Sequence, residues 1–472
     1  MREYLKFYVD GRWVEPANPR LLDVVNPATE RVAGRISLGS SRDVDLAVAA
    51  ARRAFASFSL TSKVERLHLL RRVLQHYEAR FDEVAAAITE EMGAPAWFAK
   101  QAQADIGREH LRTTIKALAE YEFACDRGST RIVREPIGVC GFIVPWNWPI
   151  NQIVCKVAPA LATGCTMILK PSELAPFSAY LWSEIMHAAG VPAGVYNMIN
   201  GDGPTVGTAI ARHRDVDMVS FTGSTRAGIE VAKNAADTVK RVQQELGGKS
   251  PNIVLPDADL EQAVAAGVRA VMLNSGQSCN APTRLLVPKA SMEAAIRIAR
   301  AAAQAITVGD PLRDVQIGPV VSELHWNRIQ ALIQRGIEEG ATLVAGGTGK
   351  PAGLVEGYYV KPTVFAHVRN DMTIARQEVF GPVLVMIGYD DIDDAVAIAN
   401  DTDYGLAAYV QSADVATARR IADRLRAGQV IINDAPRDLM APFGGYKQSG
   451  NGREWGDHAL AEFLETKAVV GL

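Results

Sequence analysis

The chain has 472 residues, of which 48% are hydrophobic, 22% charged and 7% aromatic. At roughly 150 residues per domain this length suggests about three domains, and the apolar fraction is ample for sizeable cores, which excludes global disorder. Lys and Arg number 50 against 53 Asp and Glu, a net charge of −3 that argues against a basic nucleic-acid binder and a polybasic membrane protein.

No window reaches the ~20 consecutive apolar residues of a membrane span. Met1–Asp10 mixes charge with apolar residues and lacks the apolar block of a signal peptide. A cytoplasmic protein with no membrane or nucleic-acid partner is expected.

In chain order, Phe7–Val14 alternates around Asp10-Gly11, a hairpin signal. From Ser41 the period changes. Val44, Ala47, Val48, Ala51, Phe55 and Phe58 form one stripe of an amphipathic helix. Helical patterning continues through Val64–Met92 and Gln101–Phe123, with Gly93-Ala-Pro95 as a break. Thr130–Arg134 and Ile137–Val144 are strand-like. Three strand–helix units follow: Thr166–Lys170 with Ala175–Ala189, Val195–Ile199 with Pro204–Arg212, and Met218–Phe221 with Arg226–Ala236. Such alternation predicts a parallel sheet covered by helices. A second alternating region spans Asn252 to Asn433, with strands at Asn252–Leu255, Arg284–Val287, Val383–Ile387 and Gln429–Ile432. Ala461–Leu472 is again extended. The fold class is α/β with two lobes, and a cleft between them is a natural ligand site.

The cysteines are Cys125, Cys140, Cys155, Cys165 and Cys279. An odd number disfavours a disulfide framework, and without Cys-x-x-Cys or clustered His no metal site is expected. Cys279 differs from the others. It sits in Gly276-Gln-Ser-Cys-Asn-Ala-Pro, among small and polar neighbours that leave a thiolate accessible as a nucleophile. Read alone, a cysteine is more often a buried structural thiol.

Glu245 ends an alternating stretch and enters Leu246-Gly-Gly-Lys-Ser-Pro251, either as a general base in a cleft or as a solvated turn residue. Pro145-Trp-Asn-Trp-Pro149 makes a rigid turn in which Asn147 offers an amide donor suited to an oxyanion, or merely bonds the backbone. Lys170 and Glu173 close a strand where both could reach ribose hydroxyls, while Ser172 and Glu173 also read as a capping box. Phe221-Thr-Gly-Ser224 and Gly201–Gly207 are glycine turns before helices, where free N–H groups can bind phosphate. Neither is a Gly-x-Gly-x-x-Gly fingerprint.

Together these segments are distinctive. Pro145–Pro149, Lys170–Glu173, Phe221–Ser224, Glu245–Pro251, Gly276–Cys279, Glu378-Val-Phe-Gly-Pro382 and Pro442–Gly450 with Gly452-Arg-Glu454 occur in the order found in the NAD(P)-dependent aldehyde dehydrogenase superfamily. The chain resembles that superfamily, of the hydrolytic, non-CoA-acylating type, over nearly its whole length.

The resemblance implies an aldehyde-oxidising enzyme working through a cysteine thiohemiacetal and thioester. Cys279 is then the nucleophile, Asn147 with the Cys279 N–H the oxyanion hole, Glu245 the base for deacylation and Glu454 a secondary acid. It places Trp146, Lys170, Ser172 and Glu173 at the adenosine, Ser224 at the pyrophosphate, Glu378 at the nicotinamide ribose and Phe380 near the nicotinamide. It extends the cofactor site over Val144, Pro145, Gly203, Gly207, Phe221, Gly223 and Leu246. Glu173 favours NAD, with NADP as the alternative, because a carboxylate bonds a free 2′-OH and repels a 2′-phosphate.

By the same analogy Trp148, Asn151, Gln152, Cys155 and the Asp434–Ala441 loop line a substrate tunnel. Arg437 there either pairs with the carboxylate of a semialdehyde acid or is a solvated loop residue. The implied organisation is a NAD-binding domain (1–117 and 138–248), a catalytic domain (249–448) and a strand arm (118–137 and 449–472) that builds a homodimer or homotetramer. A CoA-acylating semialdehyde dehydrogenase and a non-catalytic relative are the rival readings. Glu245 speaks against the first, and an intact Cys279, Glu245 and Asn147 against the second.

Overall fold

The computed structural model describes residues 1–471 and contains four sheets. The first lobe is built on eight strands in the order Gly450–Asn451, Arg241–Glu245, Met218–Thr222, Val139–Ile143, Thr166–Lys170, Tyr196–Met198, Phe7–Val9 and Arg12–Val14. The inner strands are parallel, and antiparallel strands close both edges. Strands such as Thr166–Lys170 and Met218–Thr222 are buried at every residue because helices cover both faces, hence their largely apolar character. The helix Pro149–Thr163 is buried all round. Pro149 occupies its first turn, where a missing N–H costs nothing.

The second lobe has seven strands: Thr342–Ala345, Thr363–Ala366, Val383–Tyr389, Arg284–Pro288, Pro251–Val254, Ala407–Gln411 and Gln429–Ile432. The chain changes sheets between Glu245 and Pro251. A small antiparallel sheet joins Leu464–Val470, Thr130–Pro136 and Ala124–Arg127. A fourth joins Arg2–Tyr4, Arg31–Leu38 and Arg20–Asn26.

Several expectations need revision. The pattern Val64–Met92 is two helices, Lys63–Ala79 and Phe81–Met92, broken at Arg80. Residues Ala99–Ala104 wind as a π-helix before Asp105–Glu120, and that helix runs past the expected domain boundary at 117. The C-terminal segment is not arm throughout. Gly450–Asn451 is an edge strand of the first lobe. Gly456–Glu462 is helical, so Ala461 and Glu462 are not extended, and Leu460 and Phe463 are buried in the first-lobe core. Only Leu464–Val470 pairs with Thr130–Pro136.

Candidate active site

The carboxyl ends of Val139–Ile143, Met218–Thr222 and Arg241–Glu245 point toward the second lobe, as ligand sites in open α/β sheets require. A cleft of about 470 Å3 opens there, lined among others by Trp146, Asn147, Glu245, Cys279, Glu378 and Phe380. Asn147, Glu245 and Cys279, distant in sequence, thus face one space.

The loop carrying Cys279 is held by strained backbone. Asn274, Ser275 and Gly276 are all left-handed, with φ of 55°, 55° and 74°. At Gly276 a Cβ would lie 1.9 Å from the Gly381 carbonyl oxygen, so no larger residue fits. Asn147 anchors the same loop: its Nδ2 donates to the Gln277 carbonyl at 3.1 Å, leaving one amide hydrogen unassigned. Its own carbonyl accepts from Gln103 Nε2 at 3.2 Å and Asn274 Nδ2 at 3.0 Å.

The charges around the sulfur are acidic. Cys279 is half-buried, and burial together with Glu378, Glu245 and Glu454 pushes its thiol well above the ordinary range. Glu245 is buried, and neither of its carboxyl oxygens has a hydrogen-bond partner among the described residues. Burial, then the charge of Glu454, raises its pKa well above the usual carboxyl value. Both shifts favour the protonated forms in the resting site.

Glu454 lies behind this cleft. It pairs with the buried Lys156 ammonium, and Cys155 Sγ donates to its other oxygen at 3.3 Å. Lys156 did not emerge from the sequence, although a lysine inside an otherwise apolar helix was a signal for a buried ion pair.

The expected cofactor residues divide. Pro145, Trp146, Gly223, Ser224, Leu246, Glu378 and Phe380 line the cleft. Val144 and Phe221 are buried in the hydrophobic cores behind it. Trp146, assigned to the adenosine, instead stands edge-on to Phe380 at 5.5 Å and to His325 at 5.3 Å, so it shares the end given to the nicotinamide. His325 Nε2 donates to the Phe380 carbonyl at 2.7 Å. The wall containing Val321, Ser322, His325 and Arg328 was missed, because nothing in its composition signals a site.

Lys170 is not a free donor. Its ammonium donates to Gly201 O at 2.6 Å, Pro171 O at 2.7 Å and Glu173 Oε2 at 3.2 Å, so it positions Glu173. Nor do Ser172 and Glu173 cap the next helix. That helix begins at Phe177, and the buried Glu91 accepts from the Phe177 and Ser178 N–H groups.

A dinucleotide fits these residues. Cβ atoms at Gly203 and Gly207 would meet nothing closer than 3.9 Å, so an open bed lies beside Lys170. Ser224 caps the helix Thr225–Ala235, whose N-terminus faces the cleft and suits a phosphate. Glu378 Oε1 accepts from the Gly248 N–H at 3.0 Å, and burial raises its carboxyl to about 7.

Among the residues expected to line the substrate tunnel, Trp148 Nε1 donates to Ser278 Oγ at 2.9 Å, and Asn151 Oδ1 accepts from His110 Nε2 at 2.7 Å. Gln152 is buried with its Oε1 unpartnered. Arg437 is exposed, lies over the Trp148 ring at 5.9 Å and pairs with no carboxylate among the described residues.

The aldehyde dehydrogenase family model matches residues 13–469. The chain belongs to the aldehyde dehydrogenase family. Members of this family oxidise aldehydes to carboxylic acids with NAD or NADP, and that is the reaction class of this oxidoreductase. A 3-succinoylsemialdehyde-pyridine dehydrogenase from Pseudomonas sp is 56% identical over 473 aligned positions, covering 100% of this chain and 99% of that protein. An aldehyde dehydrogenase C mutant from Pseudomonas syringae, solved with NAD+ and octanal, superposes with a TM-score of 0.98 at 54% identity, covering 99% of this chain and 96% of that one. A betaine aldehyde dehydrogenase from Staphylococcus aureus in complex with NAD+ gives a TM-score of 0.95 at 37% identity, covering 99% and 94%.

Proposed function

We propose that this aldehyde dehydrogenase uses NAD and that Cys279 is its nucleophile. The convergence of Cys279, Asn147 and Glu245 on one cleft is the observation that carries this reading. The thiol loses its proton to water in the open cleft, and the resulting thiolate attacks the aldehyde carbon. The remaining Asn147 hydrogen and the Cys279 N–H then meet the oxygen on which negative charge develops. Bound NAD supplies the hydride acceptor. Hydride loss from the sulfur-bound carbon leaves a thioester. The unpartnered carboxylate oxygens of Glu245 are free to take a proton from the water that attacks it. The adjacent Glu454–Lys156 pair offers a route for that proton onward.

Glu173, held by Lys170, favours NAD over NADP at the ribose. The assay is NADH formation from an aldehyde panel without CoA, with NAD and NADP compared. Turnover without CoA and more efficient with NAD is expected. An absolute CoA requirement would make the enzyme an acyl-CoA former instead. Asn147→Ala is expected to lower kcat by about 10²–10³-fold, the usual loss for one oxyanion donor. A change in KM alone would remove Asn147 from that role.

We further infer a homodimer or homotetramer. The strand Leu464–Val470 pairs on one side only, so its other edge is open to a second copy, and Val470 is 77% exposed. A cytoplasmic location agrees with five free cysteines, which suit a reducing compartment.

A further inference from the structure

One wall of the nucleotide cleft is the N-terminal end of the helix Glu323–Glu338, whose cap Ser322 accepts from the backbone N–H of His325 at 3.3 Å. One face of this helix grips the segment Glu378–Gly381 at three points. His325 Nε2 donates to the Phe380 carbonyl at 2.7 Å. Arg328 Nη2 donates to the Glu378 carbonyl at 3.4 Å. Ile329 packs on Gly381, where a Cβ would come within 2.8 Å of its Cδ1. His325, Arg328 and Ile329 have the spacing that puts side chains side by side on a helix.

The gripped segment is strained. Phe380 has a φ of 58°, in the left-handed region, which a phenylalanine holds only when its surroundings impose it. The bond from His325 falls on the carbonyl of that same residue. Burial pushes the His325 imidazole down to about 4, so near neutral pH the ring is uncharged and carries a single N–H. A carbonyl can only accept, so that hydrogen sits on Nε2. The rings of His325, Trp146 and Phe380 also meet in pairs, edge to face, at 5.3, 5.5 and 6.0 Å. The Phe380 ring is thereby fixed along with its backbone.

The same turn backs the nucleophile loop. A Cβ on Gly276 would lie 1.9 Å from the Gly381 carbonyl oxygen and 2.6 Å from the Pro382 nitrogen, so the two turns touch backbone to backbone. On the other side, Glu378 Oε1 accepts from the Gly248 N–H at 3.0 Å. A movement of Phe380 is therefore a movement of the aromatic wall of the cleft against the loop that carries Cys279.

We propose that His325 is a positioning residue for hydride transfer: through its bond to the Phe380 carbonyl it fixes the aromatic wall of the nucleotide cleft relative to the Cys279 loop. The inference rests on NAD-dependent oxidation at Cys279 and adds a residue that acts through Phe380, without touching the aldehyde.

The test compares wild type with H325Q, H325F and H325A. H325Q keeps an N–H donor near the place of Nε2. H325F keeps an aromatic ring and loses the donor, and H325A loses both without added bulk and stands in should H325F fail to fold. Each enzyme is measured in three ways. The first is the rate of the NADH burst, with hydrogen or deuterium at the aldehyde carbon. The second is NAD affinity by fluorescence titration. The third, on enzyme without nucleotide, is amide hydrogen exchange in the peptide Glu378–Val385. In H325F the burst should slow by about 10- to 100-fold, the order expected when reacting groups are misplaced by about 1 Å, and its isotope effect should grow. NAD affinity should hold, because Ser224 and Glu173 lie on other elements. Exchange should quicken by about 2- to 10-fold, the equivalent of one neutral hydrogen bond. H325Q should restore both the burst rate and the protection. Equal burst rates in wild type and H325F, equal slowing in H325F and H325Q, or an effect confined to NAD affinity overturns the proposal. A wild type that forms no NADH from any aldehyde would instead refute oxidation at Cys279.

Discussion

Cys279→Ala is expected to lower kcat by more than about 10⁴-fold, on the scale seen when a covalent nucleophile is removed. NAD affinity should persist, because the glycine bed, Glu173, the capped helix and Glu378 all lie outside the change. NADH formation measured beside a nucleotide fluorescence titration separates the two effects. The substitution is mild for the fold. The thiol is half-buried, and its loop is held independently by Asn147, Asn274 and the left-handed run before it. Oxidation near the wild-type rate would show that another group attacks the aldehyde.

Glu245→Gln should separate the two halves of the reaction. Both Glu245 oxygens lack protein partners, so the isosteric amide breaks no hydrogen bond and removes only the capacity to take a proton. A burst of NADH equal to the active sites should remain, while steady turnover falls by about 10²–10⁴-fold. The pH dependence follows from the raised pKa. Burial, then the neighbouring Glu454, raises the Glu245 pKa above the usual carboxyl value, and only the ionised form is a base. Wild-type deacylation should therefore rise with pH as Glu245 ionises, above the range of an ordinary carboxyl group, and the variant should lose that rise. Disappearance of the burst along with turnover would reassign Glu245 to activating the thiol.

The buried parallel strands were legible because their apolar runs are continuous. Short strands such as Thr363–Ala366 and Ala407–Gln411 were not, since four or five apolar residues read equally well as part of a helix. The break at Arg80 lacks a Gly or Pro, so no local signal announces it.

The chain order of its motifs determined the family, the reaction class and the residue types available for nucleophile, donor and base. Those properties are written locally, in Gly276–Cys279, Glu245–Pro251 and Pro145–Pro149. Only the tertiary structure decided how the groups are engaged. Lys170 turns out to be saturated by Pro171, Gly201 and Glu173, Trp146 meets Phe380, and Lys156 neutralises Glu454. Hydrogen-bond saturation and mutual burial depend on which atoms meet across long separations in the chain, and a residue's neighbours in sequence do not carry that information.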